Sequence, residues 1–502
     1  MGGAGGAHRR GPGQDVSGAS PSPRGFGRRL ASDSLVYGLG GVANQAVAVL
    51  LVPIYARQLG PEGVGVTGVL NSAIALGGII IGLALPQAFF RWYLREAVTR
   101  ADSDRILGTT LALRFAASIV GFALLLVAAI PLSALLYGGE HLLVFALVAP
   151  IVMFDSFNAI PLSFLRARRR PRYYVVISIS RAVIGTILIL ALVVVADLGV
   201  VGVALGAAAA AAIGAAIGLA ALIRAGVLRL RFDAPLARSM LSFAIPLVPA
   251  GLAGWALNLA DRPILQAMTG STETVGVYTL GYTAGLVINA LVVQPFTLAW
   301  GASYWELSRS DDAAPIFARV LTWFLAIGAG VALLLSALGT DILRFLVGPA
   351  FEMSRFIVPF SAFAYVLYGA YGISSAGLNI AGRSRTLAAT IGVAAVLTLL
   401  LNLLLIPRLG MFGAAVSTLA GYLALVLLTG RIAHRHFPVP WQVGRGAAIV
   451  LIAGGLAAAA LLGPDHVLWR VGCAVIYPPL LLGLGLVRLA QGRMLLAAIR
   501  RR

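Results

Sequence analysis

Fourteen stretches of about twenty apolar residues, centred near residues 45, 77, 118, 153, 185, 211, 248, 286, 327, 367, 396, 421, 453 and 478, take up nearly all of the 502-residue chain. Lipid offers no partner to backbone N–H and C=O groups, so a run of this length can only be a helix that satisfies them internally. The chain is 60% hydrophobic and 11% charged, whereas soluble domains are about 25% charged. The expected fold is therefore an all-α polytopic membrane protein of about 14 transmembrane helices, with the lipid bilayer as its first partner. The connections are short, and no catalytic ectodomain fits between them.

The net charge of +20 carries a second constraint, because all 38 basic residues are arginine. With a cytoplasmic N-terminus, only Arg57, Arg262, Arg344, Arg355, Arg408 and Arg470 fall on the outer side, and Arg114 and Arg181 fall inside spans. The other 30 lie in the tails and inner loops. That asymmetry is the positive-inside bias. It predicts both termini in the cytoplasm and makes the basic charge topological, so no nucleic-acid partner is expected. Residues 1–33 are rich in Gly, Pro, Ser and Arg and are expected to form a disordered cytoplasmic tail rather than a cleavable signal. Cys473 is the only cysteine, which excludes a disulfide within the chain and a Cys-based metal site. A buried apolar thiol is expected.

One phrase is written twice. LNLLLIPRLGMFGAAVSTLAGY (401–422) repeats, 211 residues on, the Leu198, Gly199 and Gly202 of ADLGVVGVALG as Leu409, Gly410 and Gly413. GPEGVGV (60–66) is echoed by GSTETVGV (270–277), LRARRRPR (165–172) by LNIAGRSR (378–385), and Pro86 with Glu96 by Pro295 with Glu306. Matches in order at offsets of 209–213 imply a duplicated six-span unit, and because six is even the two copies run parallel, related by an axis along the membrane normal. The expected organisation is a 34–232 N-terminal six-helix lobe, a 233–434 C-terminal six-helix lobe, and 435–502 as two additional helices and a basic tail. The 407–411 segment reads as a tight turn that stops the helix at Pro407. The small residues after it let the next helix pack closely.

LGPEGVGVTGVL, ADRPILQAMTGSTETVGVYTLGY and LNLLLIPRLGMFGAAVSTL resemble the polysaccharide flippases of the multidrug/oligosaccharidyl-lipid/polysaccharide exporter superfamily, over about residues 30–490. The resemblance implies two six-helix lobes in a V, alternating access, and a polyprenyl-diphosphate-linked oligosaccharide as cargo. It also implies a bacterial cytoplasmic membrane location and a setting beside polysaccharide polymerase and glycosyltransferases.

Ionisable residues within spans are costly and mark pathways. Arg114 and Arg181 lie about eight residues into their spans, roughly 12 Å deep at 1.5 Å per residue, and Asp155 is roughly 15 Å deep. The two arginines are candidates for a diphosphate pocket. The alternative is that Asp155 pairs with one of them to hold the bundle, which leaves the other arginine without a carboxylate. Arg91 and Arg95, with Trp92 and Tyr93, stand at the cytoplasmic mouth as a guide for an anionic headgroup or as interface anchors. Asp261 and Arg262 end the seventh span on the outer side, where the family often carries an acidic-basic pair; a helix-end ion pair near water explains them equally. Asn44, Gln45, Asn71, Asn258, Asn289 and Gln294 either face the cavity or knit helices together. Pro246 and Pro249 can kink their span and suit a gate.

The leading functional expectation is thus a lipid-linked oligosaccharide flippase that is not an enzyme and needs no cofactor or metal. A lipid II flippase and a cation-coupled multidrug antiporter are the rivals within transport. The antiporter would want more membrane carboxylates than Asp155 alone. A polytopic glycosyl polymerase or ligase would need a larger outer loop than Tyr137 to His141 or Asp197 to Val200. No GxxxxGK(S/T) loop occurs, so ATP hydrolysis by the chain itself is not expected.

Overall fold

The protein is described here from a computed structural model covering residues 53–54, 56–168, 170–226 and 231–487. The helices in chain order are α1 (Ala56–Gly82), α2 (Leu85–Glu96), α3 (Arg100–Tyr137), α4 (Leu142–Ala167), α5 (Pro171–Val195) and α6 (Gly199–Arg224). They continue with α7 (Ala234–Asn258), α8 (Asp261–Thr269), α9 (Thr272–Gly301) and α10 (Ala313–Val347). Next comes α11, two pieces (Pro349–Phe356 and Val358–Ile380) bent by 46°, followed by α12 (Ser384–Leu409), α13 (Met411–His434), α14 (Val443–Leu462) and α15 (Val467–Gly483). Eleven of the described helices are long and apolar enough to span a membrane, or twelve with α11 counted as one span. α15, with 17 residues, falls short of that length, and the apolar run centred near 45 lies outside the described residues. The expected count of fourteen is therefore not reached among them.

The helix ends follow from local chemistry. α3 opens on a capping box in which Thr99 and Asp102 satisfy each other's backbone N–H, and α5 opens on Pro171, whose missing N–H costs nothing at a helix start. Turns at the other end use glycine in the left-handed region, at matched places in the two halves: Gly60 and Gly270 (φ 65 and 63), Gly138 and Gly348 (61 and 92), Gly199 and Gly410 (54 and 56). Helix starts repeat as well, Arg100 with Ala313 and Pro171 with Ser384, both 213 residues apart.

The turn after α12 differs from expectation. The helix runs through Pro407 to Leu409, and the stop is Gly410 (φ 56, ψ −130). In a last turn the proline forfeits one hydrogen bond without having to break the helix, whereas the Gly410 backbone conformation excludes most L side chains. The close packing after the turn is present: a Cβ on Gly413 would lie 2.5 Å from the Leu405 carbonyl carbon, and one on Gly202 would lie 3.0 Å from that of Leu192.

The two halves meet at both ends of the bundle. At the glycine-turn end α1 crosses α9 with reciprocal contacts: a side chain on Gly65 would strike the Thr272 carbonyl, and one on Gly276 would strike the Pro61 carbonyl. Gly65 with Gly276 and Pro61 with Thr272 are each separated by the same 211 positions, so this is a two-fold contact made within one chain. Ser72 Oγ donates to Leu259 O (2.8 Å), and Gln266 Nε2 to Leu136 O (3.1 Å). At the arginine-rich end, Ala88, Phe89 and Tyr93 of α2 pack with Ile106, Leu107, Ile160 and Phe164 against Leu236, Met240 and Ala244 of α7. Arg105 and Asp233 add an ion pair there at 3.2 Å. α14 and α15 pack on α10, where the buried Tyr477 hydroxyl donates to Ala326 O and Cys473 is buried as expected.

Candidate functional site

Between these two contact zones lies a cavity of about 600 Å³. α1 contributes Ile74, Gly78, Ile79 and Gly82, and α4 contributes Val152, Asp155, Ser156 and Ala159. Across from them stand Leu247, Val248, Ala250 and Gly251 of α7, beside the short 3₁₀ turn formed by residues 245–247. Pro246 lies within that turn and Pro249 just after it, and Ala234–Asn258 remains one continuous helical run through them. The helical path breaks between α1 and α2, where Leu83 and Ala84 both take positive φ (47 and 50) before α2 starts at Leu85 with Pro86 in its first turn. Two non-glycine residues in this region cost of order 1–2 kcal/mol each.

Arg114 borders this cavity and is 1% exposed. Its Nη1 donates to Ile81 O at 3.3 Å, its Nε has no partner, and no described carboxylate lies within salt-bridge distance. Arg181 is different: its guanidinium is tied to Asp155, and its stem lies on Gly214, where a Cβ would come within 2.8 Å of its Cδ. The three residues singled out from sequence thus resolve into one ion pair, α5 to α4, and one unpaired buried cation. Asp155 joins both, lining the cavity while it neutralises Arg181.

Asp261 and Arg262 are neither near water nor in this cavity. They are 2% and 4% exposed and pair at 2.9 Å. Arg262 Nη1 also donates to Asn258 O (2.8 Å), and its guanidinium lies 4.4 Å from the Tyr282 ring. Tyr278 and Thr418 donate to the second Asp261 oxygen, and Tyr422 to Asn258 Oδ1. This knot fastens α7 and α8 to α9 and α13. Its tyrosines were not read from sequence, although Tyr278 and Tyr282 at i, i+4 mark one helix face. Asn44 and Gln45 lie outside the described residues. Asn71 is exposed, and none of Asn71, Asn289 and Gln294 lines the cavity. Arg91 stands at the arginine-rich end, its guanidinium 4.4 Å from the Phe243 ring of α7.

The described helices form a multi-pass bundle in two related halves around a cavity, and solved transporters share this fold. The MurJ lipid II flippase, in an inward closed conformation, superposes with a TM-score of 0.63 at 14% identity, covering 91% of this chain and 98% of that one. An inward-facing multidrug resistance MATE family transporter of the MOP superfamily gives 0.61 at 15% identity (81% and 95% covered), and a point mutant of the Vibrio cholerae MATE transporter VcmN gives 0.54 at 15% (82% and 98%). No curated protein matches the chain in sequence. The chain belongs to the polysaccharide biosynthesis protein family, whose model matches residues 30–300.

Proposed function

We propose that the protein is a flippase that carries a polyprenyl-diphosphate-linked oligosaccharide across the cytoplasmic membrane by alternating access, with both termini in the cytoplasm. The observation that carries this reading is Arg114. A guanidinium buried in a membrane protein without a carboxylate is expensive to keep, and it offers a planar fork suited to a phosphate group. The cavity beside it falls within the range of about 300–1,000 Å³ that takes one small ligand, which suits a headgroup while the polyprenyl tail stays in lipid. Asp155 and Arg181 are the supports of the cavity wall in this reading. The family match to polysaccharide biosynthesis points the same way. A cation-coupled antiporter is less well supported, because Asp155 and Asp261 are each already neutralised by an arginine. Lipid II as cargo would use the same site.

The test is the pool of lipid-linked intermediates in cells carrying Arg114→Gln at matched levels of inserted protein. Polyprenyl-diphosphate sugars are expected to accumulate on the cytoplasmic face at least about tenfold, with loss of surface polymer, and the sugar that accumulates identifies the cargo. Unchanged export with a normally folded variant would remove Arg114 from the reading.

A further inference from the structure

The mouth of the cavity at the arginine-rich end is crossed by a contact of unusual chemistry. Gln87 of α2 and Leu247 of α7 line the cavity. One turn further toward the arginine-rich end, on the same helix faces by the i, i+3, i+4 rule, stand Phe90 and Arg91 on α2 and Phe243 on α7. Arg91 bridges the two helices with its guanidinium 4.4 Å from the Phe243 ring and 5.3 Å from Trp92, and Trp92 and Phe243 meet edge-on at 5.7 Å. Beside it, Arg166 from the end of α4 lies 5.1 Å from the Phe90 ring. Arg168 lies 5.0 Å from Phe164 and donates to the Tyr93 hydroxyl. No described acidic side chain pairs with any of the three within 4.0 Å, although other arginines at the protein's ends do find carboxylates.

We propose that Arg91 and Arg166 form an anion-operated latch: a phosphate or diphosphate group arriving at the membrane surface takes Arg91 off the Phe243 ring, and α7 is then free to part from α2 at the mouth. The inference rests on the flippase reading for the identity of the natural anion. Its physical basis is a difference in strength. A ring face holds a solvent-accessible guanidinium weakly, whereas a phosphate accepts two charge-assisted hydrogen bonds from the same fork. Arg91 loses little by the exchange, and Phe243 is left with only its edge contact to Trp92 on the opposite helix. The apolar packing of Phe89 and Tyr93 on Met240 and Ala244 stays behind as the pivot, and the paired left-handed residues Leu83 and Ala84 supply the joint on which α2 moves.

The test uses the full chain in neutral phosphatidylcholine nanodiscs, titrated with inorganic diphosphate by calorimetry and followed by hydrogen exchange of peptides spanning 85–96 and 234–247. Wild type is expected to bind, with exchange rising in both peptides. Arg91→Gln and Arg166→Gln should each weaken binding at least tenfold, and Phe243→Ala, which frees the latch but keeps its charges, should bind as well as wild type or several-fold better. Diphosphate binding by Arg91→Gln equal to wild type, or a loss in Phe243→Ala as large as in Arg91→Gln, would overturn the proposal. So would binding by wild type with no change in exchange. In phosphatidylglycerol nanodiscs, peptides already in fast exchange and insensitive to diphosphate would support the latch and assign its anion to membrane phospholipid. Arg114→Gln separates the two readings: it should still bind diphosphate at the mouth while translocation of lipid-linked sugar is lost.

Discussion

At the scale of single residues, Arg114 and Arg181 differ in their partners: Arg114 donates to a backbone carbonyl, and Arg181 is tied to a carboxylate. Arg181 and Asp155 are about one-third exposed and paired. A double-mutant cycle between Arg181→Gln and Asp155→Asn, read by thermal unfolding in detergent, is therefore expected to give a coupling of about 1–2 kcal/mol. The same cycle between Arg114→Gln and Asp155→Asn should give a coupling near zero, since no ion pair links them. That these three residues lie within spans was legible in the sequence, because a charge inside an apolar run stands out. Which arginine Asp155 would choose was not legible, since depth along a helix says nothing about azimuth. The Asp261–Arg262 pair shows the same limit from the other side: adjacency in sequence suggested a solvated helix end, and the tyrosines packed around it come from α9 and α13, farther along the chain.

At the scale of helices, the crossing of α1 and α9 leaves no room for a β-carbon. Gly65→Ala or Gly276→Ala should shift the protein toward conformations in which that end is open, by at least about tenfold or 1.4 kcal/mol. Solvent labelling of cysteines placed at the glycine-turn end checks it, and labelling as slow as in wild type would show that the contact yields locally. α14 and α15 are held differently. Asp465, in the turn between them, accepts from Arg344 (3.2 Å) and Arg470 (2.9 Å), while Arg344 also binds Glu352 (2.5 Å). The hydrogen bond from Arg344 and its charge hold the Asp465 carboxyl below the usual carboxylate range. Because the folded pKa is the lower one, this attachment is complete above the ordinary carboxylate pKa and is lost as pH falls through the depressed value. Protection from hydrogen exchange at 463–470, relative to the intrinsic rate at each pH, should fall in acid, and Asp465→Asn should show the lower protection already at neutral pH with little further change. Helix existence and most turns were readable from apolar runs and glycines. The path through Pro407 was not, because a proline in a last turn and one just beyond it look alike in sequence.

At the scale of the whole molecule, the duplication was legible because it preserves glycines that turns require, and the closed ends were not, because they depend on how the copies lean together. The asymmetry between the copies also escaped the sequence. The first breaks at Leu83–Ala84, while the second continues through a π-helical stretch at Asn289–Val293 with the chain still helical to Leu307. Making that stretch as breakable as its counterpart, by glycine at Val293 and Gln294, is expected to slow lipid-linked sugar export in cells by loosening the rigid half; unchanged export would mean that both halves tolerate a joint. The meeting of Gly65 with Thr272 and Gly276 with Pro61 has the reciprocal form of a symmetric homodimer interface, made here within one polypeptide. Such an interface needs no covalent link, so residues 1–229 and 230–502 produced as two polypeptides in one cell should find each other, co-purify and restore export.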